Sequence, residues 1–206
     1  MGIPVTLLTD FNRVPRDRPV ALLMRHSARF PITDPERGFE VPLTEEGVRL
    51  AEELGEIFGK EFPCGRLMAS PVGRCLATAD AIARGAGWEL HATAEERISH
   101  PFIEPAWDLL YAGKVNGVLP AQVGETLRML LDHHHHVPEL DVMVTHDTVL
   151  GAVVGCLLHA PFKNEHWPVF LEGVFLWREG QHIAALWRGE KKLFSADFRA
   201  LENEQR

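Results

Sequence analysis

Apolar runs alternate with segments of helical periodicity along the first half of the chain. Residues 20–24 form a continuous apolar run of the length of a buried strand. In residues 44–58 apolar and small side chains recur at helical spacing, and two glutamates in the first turn favour a helix N-terminus. Residues 67–69 predict a short strand, which leads into a predicted helix that starts at Ser70-Pro71 and runs to about Ala86.

The second half of the chain continues this alternation and closes with a hairpin. The predicted elements are a strand at 88–92, a helix at 122–131, a strand at 141–145, an apolar helix at 148–158 and a hairpin of strands 169–177 and 182–187. The first 19 residues carry three prolines and scattered charges, and they predict a lead-in arm.

Strands that alternate with helices predict an α/β fold with a mostly parallel sheet covered on both faces. We therefore expect a three-layer α/β/α sandwich that forms a single domain over residues 1–206, with its core at about 20–190. Residues 97–120 differ, because prolines, glycines and aromatic residues follow one another there with little periodicity. Two interpretations are equally favoured: a pocket wall or lid, and a satellite core around Phe102, Trp107 and Tyr111.

Composition and charge narrow the classes of partner. The chain has 206 residues, 46% of them hydrophobic and 24% charged, which is typical of a globular protein. A net charge of −8 predicts repulsion of nucleic acid and of anionic membranes, so we expect neither as a partner. Cys64, Cys75 and Cys156 are odd in number and lack metal spacing, which favours reduced thiols in a cytoplasmic protein. The chain has no apolar run of membrane-spanning length and no signal-peptide pattern.

Four consecutive histidines, residues 133–136, raise the question of a metal site. Consecutive residues at a helix end point in different directions, so a single ion could bind at most two or three of them. A solvated helix terminus, where histidines suit the helix dipole, is the favoured interpretation. We expect neither a metal ion nor a cofactor.

A histidine between two arginines follows the first predicted strand, in the segment Arg25-His26-Ser27-Ala28-Arg29-Phe30-Pro31. Guanidinium groups fork around phosphate or carboxylate oxygens, and the histidine is the one member of this group that can act as a nucleophile. Two further polar segments also follow predicted strands, Ser70-Pro71-Val72-Gly73-Arg74 and His146-Asp147. Because ligands of open α/β sheets bind beyond the carboxyl ends of the strands, we expect these segments to converge on one phosphate site.

Together these segments resemble the histidine phosphatase superfamily, and more closely its acid phosphatase branch. The resemblance covers roughly residues 20–160, and the order and spacing of several separate motifs make it specific. The matching motifs are Arg25-His26-Ser27-Ala28-Arg29-Phe30-Pro31, Leu43-Thr44-Glu45-Glu46-Gly47, Ser70-Pro71-Val72-Gly73-Arg74 with Thr78-Ala79, and Thr145-His146-Asp147. The resemblance implies a phosphoglycerate mutase-like fold.

The resemblance also implies a metal-independent phosphomonoesterase that works through a covalent phosphohistidine. His26 would be the nucleophile, and nearby arginines would lower its pKa by disfavouring the imidazolium. The other implied roles are phosphate binding by Arg25, Arg29 and Arg74, phosphate stabilisation by His146 and proton donation to the leaving group by Asp147.

Two details of the site stay open. Glu104 is the alternative proton donor, since the other branch of the superfamily takes its acid from a glutamate in that part of the chain, although Asp147 is favoured. Ser27 stands where the family usually has glycine, which predicts a slightly altered pocket.

The expected substrate is a small phosphate ester or a phosphate on the surface of a larger molecule. A phosphomutase, which returns the phosphoryl group to its substrate, is a second interpretation, and a non-catalytic module that binds phosphorylated ligands is a third. The presence of His26 and His146 argues against the third, because a binding module needs the arginines but no nucleophile. The oligomeric state is not predicted.

Overall fold

The computed structural model describes residues 2–99, 118–131, 137–158 and 167–195. Several predictions fall outside these residues: Glu104, the aromatic residues Phe102, Trp107 and Tyr111, most of the segment proposed as a pocket wall or lid, and the histidine run at 133–136.

The described elements alternate between helix and strand up to residue 158 and end in three consecutive strands. The α-helices are α1 (Val5–Phe11), α2 (Glu45–Gly59), α3 (Gly73–Ala86), α4 (Val118–Leu131) and α5 (Asp147–Leu158). The strands are β1 (Val20–Arg25), β2 (Cys64–Ala69), β3 (Thr93–Ala94), β4 (Leu140–Thr145), β5 (Gly173–Glu179), β6 (His182–Trp187) and β7 (Glu190–Ser195). Two 3₁₀ helices, Pro35–Glu40 and Glu96–Ile98, lie in the loops.

All seven strands belong to one sheet in the order β3-β2-β4-β1-β5-β6-β7. Strands β3, β2, β4 and β1 are parallel to one another, and β5, β6 and β7 continue the sheet through antiparallel pairs. The predicted α/β class with a mostly parallel sheet is therefore confirmed. The antiparallel part is longer than predicted, because β7 extends the terminal hairpin.

The sheet is buried on both faces, and β1 illustrates how the sequence achieves this. Leu22 and Met24 of β1 pack into the core on the side of α1, α2 and α3, whereas Ala21 and Leu23 pack on the side of α4 and α5. All of them are fully buried, as expected for a central strand whose alternate side chains enter two different helical layers. The three layers of the predicted sandwich follow from this arrangement.

Some predictions of local structure are wrong. The first 19 residues contain α1, which buries Leu7 and Phe11 one helical turn apart, so this segment is not simply a lead-in arm. Residues 88–92 are not a strand, and the short β3 begins only at Thr93. Helix α3 begins at Gly73 rather than at Ser70-Pro71, and its N-cap Val72 makes no side-chain capping bond.

Within the described ranges, no helix has the length and apolar character needed to cross a bilayer.

Candidate active site

The three polar segments singled out in the sequence meet at one edge of the sheet. Strands β2, β4 and β1 are neighbours in that order and run parallel, so their carboxyl ends lie side by side. The strand ladder continues one step past their ends, because the His26 amide donates to the Thr145 carbonyl (2.9 Å) and the Ser70 amide donates to the Val144 carbonyl (2.9 Å). His26, Ser70 and His146 are thereby fixed next to one another.

His26 is a buried imidazole whose two nitrogens face opposite kinds of partner. His26 as a whole residue is only 2% exposed. Nδ1 lies 2.7 Å from the Ser27 carbonyl oxygen, which can only accept, and the Arg74 Nε–H, which can only donate, lies 3.1 Å from Nε2. These partners assign the neutral tautomer with the proton on Nδ1 and a lone pair on Nε2.

The surroundings of His26 strongly favour its neutral form. Its pKa is lowered from 6.5 to about 2, first by burial and then by the charges of Arg74 and Arg25 and by His146, while the bond to the Ser27 carbonyl raises it. The lowering expected from the sequence is present. Burial is its larger cause, ahead of the arginines.

Arg74, in the first turn of α3, connects the two histidines. Its Nη1 donates to the Gly38 carbonyl (2.8 Å), which links the guanidinium to the segment before α2. Its Nη2 lies 3.4 Å from Nδ1 of His146, and Nε2 of His146 lies 3.0 Å from the Ser70 hydroxyl. Because a guanidinium only donates, the consistent assignment for His146 is a proton on Nε2, donated to Ser70, and an acceptor at Nδ1.

Arg25 is almost buried at the end of β1 and contacts Asp147. Its Nη2 lies 2.8 Å from Oδ2 of Asp147, its Nη1 donates to the Pro168 carbonyl (2.7 Å), and its guanidinium carbon lies 4.1 Å from the centre of the Phe170 ring. Burial lowers the pKa of Arg25, and the Asp147 charge opposes this effect. The Nε–H is buried and has no hydrogen-bond acceptor among the described residues.

Asp147 begins α5 and accepts from groups on two sides. The Thr148 amide donates to Oδ1 (2.9 Å), and the Trp167 indole N–H donates to Oδ2 (3.0 Å). Together with the Arg25 ion pair, these contacts fix both oxygens of the carboxylate.

Arg29 lies within electrostatic range of the other two arginines. Its charge lowers the pKa of Arg25 and of Arg74, although in each case burial has the larger effect. The structure thus brings together six of the seven predicted site residues, His26, His146, Arg25, Arg29, Arg74 and Asp147. The seventh, Glu104, lies outside the described residues.

Ser27 fits this site without entering the space around Nε2 of His26. Its hydroxyl donates to the Gly47 carbonyl (2.6 Å) and its amide donates to the Thr78 hydroxyl (3.0 Å). Helix α2 approaches so closely here that a Cβ on Gly47 would lie 2.1 Å from the Ala28 carbonyl oxygen. Serine is therefore accommodated because its polar atoms are satisfied by the two helices behind the loop.

Sequence reasoning missed the residues between α5 and β5. Trp167, Pro168 and Phe170 contact Asp147, Arg25 and His26, and the His26 and Phe170 ring centres are 5.6 Å apart. The predicted strand over 169–177 is wrong at its start, because the strand begins only at Gly173, and Phe170 lies in the irregular segment before it. An aromatic residue next to proline was the one available signal, and it is too common to indicate a site.

Within the described residues, no cluster of three or more His, Cys, Asp or Glu side chains could hold a metal ion.

Comparisons with known proteins agree with the motifs. The model of the histidine phosphatase superfamily (branch 1) matches residues 22–99. Among proteins of curated function, none matches the chain in sequence.

Three solved structures illustrate the similarity of fold. The protein histidine phosphatase SixA complexed with tungstate is 14% identical, with a TM-score of 0.55 and coverage of 85% of this chain and 94% of that one. Phosphoglycerate mutase from Bacillus anthracis is 13% identical, with a TM-score of 0.54 and coverage of 92% and 98%. A mutant phosphoserine phosphatase from Entamoeba histolytica in complex with phosphoserine is 15% identical, with a TM-score of 0.57 and coverage of 88% and 98%.

These findings confirm the resemblance to the histidine phosphatase superfamily and the phosphoglycerate mutase-like fold. The matching family model is that of branch 1, and the closer likeness to the acid phosphatase branch stays a prediction.

Proposed function

We propose that the protein is a phosphomonoesterase that hydrolyses a phosphate ester through a covalent phosphohistidine at His26. The observation that carries this proposal is the state of that imidazole. It is buried and neutral, with a lone pair on Nε2, and it lies close to Arg74 and Arg25; Arg25 has a buried N–H with no acceptor among the described residues. A neutral nucleophile within a cationic cluster suits attack on a phosphate dianion.

The first step transfers the phosphoryl group to His26. The incoming phosphate draws the Arg74 Nε–H away from Nε2, and the lone pair that this bond occupied attacks phosphorus. As the N–P bond forms, the ring becomes cationic, and the Nδ1–H bond to the Ser27 carbonyl stabilises that charge. The substrate binds as a monoanion and passes its proton to Asp147 as Arg25 turns to the phosphate; the P–O bond to the leaving group then breaks, and Asp147 gives this proton to the departing oxygen.

The second step releases the phosphate. Asp147, now a carboxylate, takes a proton from a water molecule whose oxygen attacks phosphorus, and the N–P bond breaks with its electron pair returning to Nε2. Asp147 then passes this proton to the departing phosphate, so one ester monoanion and one water become one alcohol and one dihydrogen phosphate, and both catalytic side chains return to their initial states. The positive charge for both steps comes from the arginines, so we propose no metal ion and no cofactor.

The cations change partners during this cycle. Without substrate, Arg25 pairs with Asp147, and a bound phosphate competes for the same guanidinium. Its transfer to the phosphate releases one lone pair of Oδ2, where Asp147 can carry the proton. We assign His146 to phosphate stabilisation, because it contacts Arg74 and Ser70 at the same edge of the sheet.

A phosphomutase would use the same first step and differ only in the acceptor of the phosphoryl group. The fold is shared with a phosphoglycerate mutase as well as with phosphatases, so fold does not separate the two. We favour hydrolysis, with a small phosphate ester or a phosphorylated macromolecular surface as the substrate.

The assignment of the proton donor is tested by substitution and choice of leaving group. Asp147→Asn should lower kcat/KM by about 100-fold or more for an alkyl phosphate and by little for p-nitrophenyl phosphate, because nitrophenolate departs without a proton. Glu104→Gln is the matched control and should leave kcat/KM unchanged for both substrates. A leaving-group-dependent loss in Glu104→Gln instead would transfer the donor role to Glu104, and unimpaired hydrolysis by His26→Ala would contradict the mechanism.

A further inference from the structure

The loop of residues 167–172, between α5 and β5, contacts three of the predicted site residues. The Trp167 indole N–H donates to Oδ2 of Asp147 (3.0 Å), and the Pro168 carbonyl accepts from Arg25 (2.7 Å). Phe170 lies against both Arg25 and His26. The backbone of the loop also bonds to the site, because the Leu171 amide donates to the His26 carbonyl (3.4 Å).

A buried ion pair outside the site holds this loop in place. Glu172 is only 2% exposed, and its Oε1 lies 2.5 Å from Nε of Arg188, at the end of β6. The other carboxylate oxygen accepts from Arg188 Nη2 (2.9 Å) and from the Val169 amide (2.9 Å). Arg188 Nη2 also donates to the Trp167 carbonyl (3.2 Å). The pair therefore fixes the loop at the backbone of Trp167 and of Val169.

The backbone around this pair is strained. Leu171 (φ 61°) and Arg188 (φ 49°) are the two non-glycine residues with positive φ in the described part of the chain, and they are the neighbour and the partner of Glu172. Such conformations persist only where surrounding contacts impose them, and they occur preferentially next to functional sites. Contacts with the rest of the protein therefore hold the loop in a backbone conformation that is locally unfavourable.

We propose that Trp167 is the positioning residue for Asp147 and that the Arg188–Glu172 pair sets its place. The proposal rests on the proposed function, because it takes Asp147 as the proton donor. When phosphate draws Arg25 away, the Thr148 amide still holds Oδ1 and the Trp167 indole still holds Oδ2. The carboxyl group then keeps its orientation, with the proton on the lone pair of Oδ2 that Arg25 has left.

A purely structural tryptophan–carboxylate bond elsewhere in the protein provides the control. The Trp177 indole N–H donates to Oε2 of Glu179 at the same distance, 3.0 Å, at the end of β5. Loss of that bond should lower the stability of the fold without making kcat/KM depend on the leaving group. Trp177→Phe is therefore the matched control for Trp167→Phe.

The test is a double-mutant cycle of Trp167→Phe with Asp147→Asn, read as kcat/KM for an alkyl phosphate and for p-nitrophenyl phosphate. Trp167→Phe should lower kcat/KM for the alkyl ester about 10-fold, because the carboxyl group loses one of the two hydrogen bonds that orient it, and leave p-nitrophenyl phosphate within about 2-fold. In the Asp147→Asn background it should add no further leaving-group-dependent loss. Trp177→Phe should leave kcat/KM unchanged for both esters.

The outcomes separate the two proposals. If Asp147→Asn alone shows no dependence on the leaving group, the donor assignment fails and the role of Trp167 falls with it. If Asp147→Asn behaves as expected and Trp167→Phe has no effect, or has the same effect on both esters or in both backgrounds, only the positioning role is overturned. Should Trp167→Phe not fold, replacement of Trp167 by β-(3-benzothienyl)alanine removes the N–H and keeps the bicyclic shape, with the same expected loss.

Discussion

His26 has the two properties that a histidine nucleophile needs, a lone pair on Nε2 and resistance to protonation. The first comes from its hydrogen bonds, since Nδ1 faces a carbonyl and Nε2 faces a guanidinium. The second comes mainly from burial at the edge of the sheet. The cost of placing a neutral histidine there appears on acidification, where the unfolded chain can bind a proton that the folded protein excludes.

The free energy of unfolding should therefore decrease as the pH is lowered, and part of this decrease should depend on His26. Its pKa is near 6.5 in the unfolded chain and about 2 in the folded protein, so between these values only the unfolded state carries the proton. From pH 6 to pH 4 the free energy of unfolding of the parent should fall by about 1.4 kcal/mol per pH unit more than that of His26→Asn. Urea denaturation at several pH values measures both slopes, and equal slopes would refute the burial of a neutral imidazole.

The individual site residues could be predicted from the sequence, whereas their resting contacts could not. Arginines next to a histidine after a strand predict a phosphate site from local pattern alone. The Arg25–Asp147 pair joins residues that lie far apart in the chain, and it depends on the neighbouring positions of β1 and β4. The sequence predicts a helix that starts at Ser70-Pro71. The Ser70 hydroxyl instead lies 3.0 Å from a ring nitrogen of His146, and α3 begins three residues later, which places Arg74 in its first turn.

At the scale of elements, the loop of residues 167–172 depends on one ion pair for its conformation. Glu172 and Arg188 satisfy each other, and two backbone groups of the loop, the Val169 amide and the Trp167 carbonyl, each bond to one of these side chains. Removing the buried Glu172 carboxylate leaves Arg188, whose side chain is 24% exposed, without its partner.

Glu172→Gln should accordingly destabilise the protein by about 3 kcal/mol, measured as the free energy of unfolding in urea. The control is Glu52→Gln at the exposed Glu52–Arg84 pair, which joins α2 to α3 and should cost less than about 1 kcal/mol. Equal effects of the two substitutions would mean that the buried pair does not anchor the loop.

Element prediction succeeded where periodicity was strong and failed where partners decided the outcome. Helix α2 was predicted over 44–58 and is observed over Glu45–Gly59, with the Thr44 hydroxyl accepting from the Gly47 amide at its N-terminus. Strand β7 escaped prediction because it is an edge strand with two lysines and much of its surface exposed, so it lacks an apolar pattern. At 88–92 the Trp88 indole bonds to the Phe62 carbonyl, and the segment does not pair along β2.

At the scale of the whole molecule, topology converts separate motifs into one site. The alternation of strands and helices predicts parallel strands, but nothing local to a strand specifies that β4 lies between β2 and β1. That order places the ends of three motif-bearing strands next to one another. It also concentrates three arginines in a protein whose net charge is −8, so that attraction of a phosphate depends on this edge and not on the overall charge.

The most direct test is detection of phosphate on His26. The protein is mixed with p-nitrophenyl phosphate, quenched in alkali within the first turnovers and digested, and the peptides are searched by mass spectrometry for a phosphoryl group. We expect a base-stable, acid-labile phosphate on His26 that is absent in His26→Ala and retained in a control variant of a histidine on β6, His182→Ala. The phosphorylated form should accumulate in Asp147→Asn, because the attacking water loses its base. Steady hydrolysis with no phosphate on His26 in either the parent or Asp147→Asn would contradict the covalent mechanism.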